Sequence, residues 1–230
     1  MDTTVSLRAI LLEWGASFWL PALAAAVIAY FCGCFNGAVI VSKYILRDDV
    51  RNHGSGNAGL TNFHRTFGGG LTFVVILCDV LKAVAALLIS VALLRHFVLD
   101  RADVVMFAKY WAGLFCLLGH MFPCMFGFKG GKGILSGGTV ALMVDWRVAL
   151  VVWGGFLLLV ALTRYVSLGS VWAGASFPFI SWYCCPEPAV VVLAFACGGL
   201  VVWQHRGNIQ RLAQGSERKL SFHKKKEGER

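Results

Sequence analysis

From residue 18 to residue 204 the chain is a succession of apolar stretches close to the length that crosses a bilayer, and this decides its solvent before any motif is considered. In an α-helix, about 17 to 25 mostly apolar residues cross roughly 30 Å of hydrocarbon. Stretches of this kind lie near 18–44, 70–95, 104–122, 134–146, 147–163, 167–184 and 188–204. Lipid offers no partner to backbone N–H and C=O groups, so each stretch is expected to be helical, which gives an all-α integral membrane protein of about seven transmembrane helices. Residues 134–163 are too long for one span, and Asp145-Trp146-Arg147 is the polar punctuation that can divide them. Without a turn there, the count falls to six. With 58% hydrophobic and 14% charged residues and a mean hydropathy of +0.70, a soluble globule of this length could not cover its surface. The chain therefore reads as one polytopic domain over residues 1–213 and a basic tail over 214–230, polar enough to be disordered.

Charge sets the orientation. With seven spans, Lys43, Arg47, Arg51, Arg65, Lys129, Lys132, Arg164, Arg206, Arg211 and the basic tail share one side, against Arg8, Arg95, Arg101, Lys109 and Arg147 on the other. Positive residues mark the cytoplasmic face, so the C-terminus is expected there. Residues 1–17 lack a basic start and carry Glu13, which argues for an interfacial lead-in rather than a cleaved leader, although Ala22, Ala24 and Ala26 mimic a cleavage site. The formal net charge of +9 is concentrated in the tail and the loops flanking spans, where it attracts anionic headgroups; no nucleic-acid module is present. The cysteines fall mostly in apolar spans and lack the paired spacing of a zinc site, so neither metal nor cofactor is expected.

Three polar islands interrupt the apolar background, all on the basic side. The first is Gly54-Ser55-Gly56-Asn57 with Thr61, Asn62 and Arg65; the second is Lys129-Gly130-Gly131-Lys132-Gly133; the third is His205 with Asn208 and Arg211. Glycines let a backbone approach a ligand, while Ser, Asn, Lys and Arg supply donors to an oxyanion. Arginine grips two phosphate oxygens at once. The second island is not a nucleotide-binding loop, because its spacing differs and no strand precedes it. His205 and Asn208 stand at i, i+3, on one helix face.

In these motifs the chain resembles the bacterial membrane-bound acyl-phosphate:glycerol-3-phosphate acyltransferases. The shared elements are Gly54 to Arg65, Gly119-His120 with Phe122-Pro123 leading to Gly133, and His205 to Glu217; Arg164-Tyr165-Val166-Ser167-Leu168 with Ser170, and Asp79 with Lys82, look like further ones. The resemblance covers roughly residues 33 to 219. It implies a seven-span enzyme of the bacterial inner membrane with cytoplasmic active-site loops. Its expected reaction moves an acyl group from acyl phosphate to the 1-hydroxyl of sn-glycerol 3-phosphate, giving lysophosphatidic acid and phosphate in the first acylation of phospholipid synthesis. By position, Ser55, Arg65, His205 and Asn208 are expected to be catalytic. Gly54, Gly56, Asn57, Thr61, Asn62, Lys129, Gly130, Gly131, Lys132, Gly133 and Ser167 are expected to bind substrate, and Glu217 to be structural. Leu60, Thr163 and Ile134-Leu135-Ser136 depart from the family pattern, and the last could alter pocket width.

Acyl phosphate is a mixed anhydride with a good leaving group, so the expected work is to neutralise two phosphates and orient a hydroxyl. No Ser-His-Asp triad is apparent, which implies direct attack with the proton going to His205 or to a substrate phosphate. Substrates and membrane lipid are the expected partners, with no obligate protein partner. A transporter of a small phosphorylated or anionic metabolite is the alternative; it would carry inverted repeats and midmembrane polar groups. No repeat is visible, and Asp79 with Lys82 is the clear buried pair, read as an i, i+3 contact within a helix.

Overall fold

The computed structural model describes residues 6–13 and 15–220. Helices α1 (Leu7–Glu13), α2 (Ala16–Cys34) and the short α3 (Gly37–Ile40) open the chain. They are followed by α4 (Leu60–Thr66), α5 (Leu71–Phe97), α6 (Ala102–Met121), α7 (Ile134–Val144) and α8 (Trp146–Thr163). The chain closes with α9 (Val166–Cys184), α10 (Pro188–Gln204) and α11 (Arg206–Ala213). Six of the seven expected stretches coincide with one helix each. Among the described residues, four helices are long and apolar enough to cross a membrane, namely α2, α5, α6 with the turn after it, and α8; α10 and α11, bent by 54°, make a fifth if taken together.

The expected single helix over 18–44 is broken. It ends at Cys34, and Asn36 starts a new one by accepting from the Val39 amide (3.1 Å) while donating to the Ala58 carbonyl (3.0 Å). An asparagine that can cap a helix and also bridge to a distant loop competes with helix continuation. The chain then runs through a π-helical turn, Val41–Ile45. The turn expected at Asp145 is real: its carboxylate accepts from the Arg147 amide (2.7 Å) and so caps α8. At 11 residues α7 reaches only about 16 Å, roughly half the hydrocarbon thickness.

Helix α6 is the hub, packed by α2, α5, α7 and α10, and α9 joins α8 to α10. Tyr110, Ala112, Cys116 and Leu117 of α6 belong to the main core cluster together with Phe18, Ala25, Leu87 and Val140. The outward faces expose Leu20, Phe73, Leu81, Leu157 and Leu162, an apolar exterior suited to lipid. Leu7 and Ile10 of α1 are buried against the same core, so this lead-in lies on the bundle. Residues 214–220, expected to be disordered, instead fold back, with the Leu220 amide donating to the Arg164 carbonyl (2.7 Å). The rest of the expected disordered tail, 221–230, and the start of the lead-in, 1–5, lie outside the described residues.

Candidate active site

The three islands meet at one end of the bundle. The first is built around Asn62, whose Nδ2 donates to the carbonyls of Val50 (3.0 Å), His53 (3.0 Å) and Asn57 (3.1 Å) and whose Oδ1 accepts from the Ser55 amide (3.0 Å). Gly54 and Gly56 take left-handed conformations with φ of 60° and 68°, which glycine adopts without a Cβ penalty. Asn62 was expected to bind substrate; its side chain is engaged in holding the loop that presents Ser55. Arg51, held by Asp49 (2.7 Å), donates to the carbonyls of Phe126 (2.7 Å) and Lys129 (3.2 Å) and so ties the first island to the second.

The second island folds back over the end of α6. The Gly131 amide donates to the His120 carbonyl and the Gly130 amide to the Met121 carbonyl, both at 3.1 Å. A Cβ on Gly130 would strike the His120 carbonyl oxygen and one on Gly131 the His120 Nε2 atom, so these glycines serve close packing. The third island lies where α10 bends into α11. His205 Nδ1 donates to the Val201 carbonyl (2.8 Å). Since a carbonyl only accepts, a neutral His205 leaves Nε2 as a lone-pair acceptor. Lys132 donates to Asn208 Oδ1, Asn208 Nδ2 donates to Glu217 (2.8 Å), and Arg211 donates to the other carboxylate oxygen (2.7 Å). This relay fixes the Asn208 amide orientation and aims Lys132.

Together these elements enclose a cavity of about 1090 Å³. Its lining includes Gly54, Ser55, Gly56, Asn57, Thr61, Asn62, Arg65, Lys132, Gly133, Ser167, His205 and Asn208, so most of the expected site residues are together. Lys129, Gly130 and Gly131 do not line it, and Lys129 is exposed. The lining carries Arg65, Lys132, Arg206, Arg211 and Arg218 against two carboxylates, Asp79 and Glu217, the latter paired with Arg211, which leaves an excess of positive charge. An apolar wall, with Ile76, Ile134, Leu135, Trp153, Phe156 and Val166, adjoins the cationic one.

Electrostatics follow from burial. Lys132 is pushed down to about 8 by burial and then by the nearby Arg211 charge. His205 is pushed down to about 4, chiefly by burial, and is neutral near pH 7. Burial raises Glu217, but hydrogen bonds from Asn208 and Arg211 outweigh it and the carboxyl stays below its ordinary value. The Ser167 hydroxyl, buried in the wall, faces this carboxylate without a full hydrogen bond.

Sequence reasoning missed the network beneath the cavity. Asp79 and Lys82 form the expected i, i+3 pair (2.7 Å), but Lys82 Nζ also donates to His120 Nδ1 (2.7 Å) and to the Phe35 carbonyl (3.0 Å). Asp79 accepts from the Gly37 amide as well (3.4 Å). The available signal was an ion pair in the middle of an apolar helix, which is costly unless built into a site.

Fold and cavity define a helical integral membrane protein whose cationic, phosphate-compatible cleft borders an apolar wall. The glycerol-3-phosphate acyltransferase family model matches residues 23–215, and the chain belongs to that family. A protein named glycerol-3-phosphate acyltransferase from Clostridioides difficile is 40% identical over 198 residues, covering 85% of this chain and 93% of its own. Another of that name from Thermoanaerobacter pseudethanolicus is 35% identical over 199 residues, covering 86% and 96%. Among solved structures, the chain is similar to PlsY (YgiH), an integral membrane glycerol 3-phosphate acyltransferase. The glycerol 3-phosphate form matches with a TM-score of 0.76 and 32% identity over 87% of this chain and 96% of that one. The lysophosphatidic acid form gives a TM-score of 0.73 and 32% identity over 87% and 95%.

Proposed function

We propose that this protein transfers an acyl group from acyl phosphate to the 1-hydroxyl of sn-glycerol 3-phosphate, releasing lysophosphatidic acid and phosphate. The observation that carries the reading is the convergence of three separated polar segments on one cation-rich cleft bordered by an apolar wall. A phosphorylated glycerol and a phosphorylated lipid chain need both surfaces. Membership of the acyltransferase family supports the reading, and anion transport, the alternative from the sequence, has no support among relatives named for acyl transfer.

In this reading Arg65 and Lys132 take the substrate phosphates, with Ser55, Asn57, Thr61 and the open backbone at Gly54 and Gly56 as further donors. Lys129 and Gly130, Gly131 and Gly133 act by shaping the loop that delivers Lys132, and Asn62 by folding the loop that carries Ser55. Asn208 and Glu217 orient Lys132, and Ser167 completes the wall. His205, held by Val201, offers Nε2 to the attacking hydroxyl. With a basicity near 4 it orients the hydroxyl more than it captures the proton, which fits direct attack with the leaving phosphate as final acceptor. We place the helices as seven spans, with α7 as a short one, and the three islands and the C-terminus on the cytoplasmic side of the bacterial inner membrane. The membrane domain covers residues 1–213, and the start of the 214–230 tail folds onto it through Glu217.

Purified protein in detergent, given glycerol 3-phosphate and, separately, acyl phosphate, acyl-CoA and acyl carrier protein, is expected to form lysophosphatidic acid with the first donor only. Product from acyl-CoA at an equal rate would refute the assignment of the donor. A stable acyl adduct on Ser55 would overturn direct attack.

A further inference from the structure

His120 is a buried histidine at the cavity floor, 3% exposed, which the reaction as derived does not use. Its Nδ1 faces the Lys82 ammonium at 2.7 Å. An ammonium has donors only, so Nδ1 must accept and the ring proton sits on Nε2. Lys82 cannot turn away, because Asp79 and the Phe35 carbonyl hold its other hydrogens. The ion pair therefore acts as a tautomer lock. Among the described residues, Nε2–H makes no hydrogen bond. His120 belongs to the cavity lining, so an acceptor on a ligand bound there can meet this donor.

The place of this donor suggests its acceptor. The ring packs edge-on against the second island: a Cβ on Gly131 would collide with Nε2, and one on Gly133 would stand 4.0 Å from Cδ2, so the donor lies between Gly131 and the lining residue Gly133. At Gly133 the cavity lining passes from Lys132 to Ile134 and Leu135, from cationic to apolar. Gly133 and Ile134 also border a second, small apolar pocket of about 30 Å³ with Leu117, Phe177 and Val201. In an acyl phosphate, the carbonyl is the group that joins an apolar chain to an anionic head, so it belongs at such a boundary.

We propose that His120 is a further catalytic residue, whose Nε2–H donates to the acyl carbonyl oxygen as negative charge develops on it, and that Lys82 and Asp79 are positioning residues that hold its tautomer. This rests on the acyl-transfer reading above. The 1-hydroxyl oxygen bonds to the acyl carbon while the π pair of the C=O moves onto the carbonyl oxygen facing Nε2–H. That pair returns as the bond from the acyl carbon to the phosphate oxygen breaks, its electrons leaving with phosphate. The hydroxyl proton ends on the departing phosphate, giving ester and hydrogen phosphate with the same total charge as the reactants. His120 keeps its own proton throughout.

Two variants separate donation from packing. His120→Asn keeps an acceptor for Lys82 near the position of Nδ1 but removes the donor; His120→Gln carries an amide donor near the position of Nε2 and gives up the acceptor. With acyl phosphate as donor, kcat of His120→Asn is expected to fall about 100-fold, as when one oxyanion donor is removed, with KM for glycerol 3-phosphate unchanged. His120→Gln is expected to recover most of kcat. Equal losses in both variants, a loss confined to KM, or full activity in His120→Asn would overturn the proposal. If wild type forms product while His120→Asn is equally active, this inference alone fails; if wild type forms none, the acyl-transfer reading fails first. Thermal melting in detergent reports whether the variants fold. Should His120→Asn fail to fold, infrared spectra of wild type with a carbonyl-labelled, uncleavable acyl ketophosphonate decide the matter. A carbonyl stretch lowered relative to detergent alone supports the donor, and an unshifted one overturns it.

Discussion

Lys132 joins the second island to the third, and its charge is delicately held. With the ammonium pushed down to about 8 by burial, a bound phosphate dianion would raise it again, so binding takes up a proton above that pH. The sign is that the protonated form binds: KM for glycerol 3-phosphate is expected to stay level from about pH 7, where the substrate phosphate is already a dianion, to about pH 8, and to climb about tenfold per pH unit above it, as steady-state kinetics across pH would show. A flat KM through pH 9.5, a range set by about one and a half units above Lys132, would remove Lys132 from the phosphate site. Replacing it as Lys132→Ala should raise the same KM about 10- to 100-fold with a smaller change in kcat, the factor corresponding to roughly 1.5 to 3 kcal/mol of charge-assisted hydrogen bonding. Asn208→Asp should also raise KM, because a carboxylate there would bind Lys132 in competition with substrate and repel Glu217.

At the scale of elements, the placement of the cleft depends on how closely α2 and α6 cross. A Cβ on Gly119 would collide with the Tyr30 carbonyl oxygen, and one on Gly33 with that of Cys116, so the helices touch backbone to backbone at two facing glycines. Gly119→Leu is expected to lower stability by about 1 to 3 kcal/mol or more, as overpacking does, whereas Gly154→Ala, which meets nothing within 4 Å, should leave melting in detergent unchanged. Most helices were legible from hydropathy because spans must be apolar and continuous, and Asp145 was legible because a cap is written locally. The break at Asn36 was not, since its second partner, Ala58, lies 22 residues away in a loop. Within the site, the donors of Ser55, Arg65, Lys132, His205 and Asn208 could be read from residue type and spacing. Asn62 and Gly131 could be recognised as important, but their work inside the loops depends on backbone geometry. His120 showed only a motif position, as its tautomer depends on Lys82 38 residues earlier.

The whole molecule gathers segments from residue 54 to residue 218 around one cavity, and the C-terminal stretch is part of the closure. Glu217 holds Asn208 and Arg211, and Leu220 is bonded to Arg164. A chain truncated after Leu220 should therefore keep its activity, while one truncated after Ala213 should lose most of it through a raised KM for glycerol 3-phosphate; equal activities would show that Glu217 is dispensable. The most direct test of the account uses sealed membrane vesicles of defined orientation carrying the protein, with acyl phosphate in the bilayer and labelled glycerol 3-phosphate, which as a dianion does not cross lipid, added outside. If the three islands form one cytoplasmic cleft, inside-out vesicles make labelled lysophosphatidic acid and right-side-out vesicles make it only after permeabilisation. Product formation by intact right-side-out vesicles alone would contradict it.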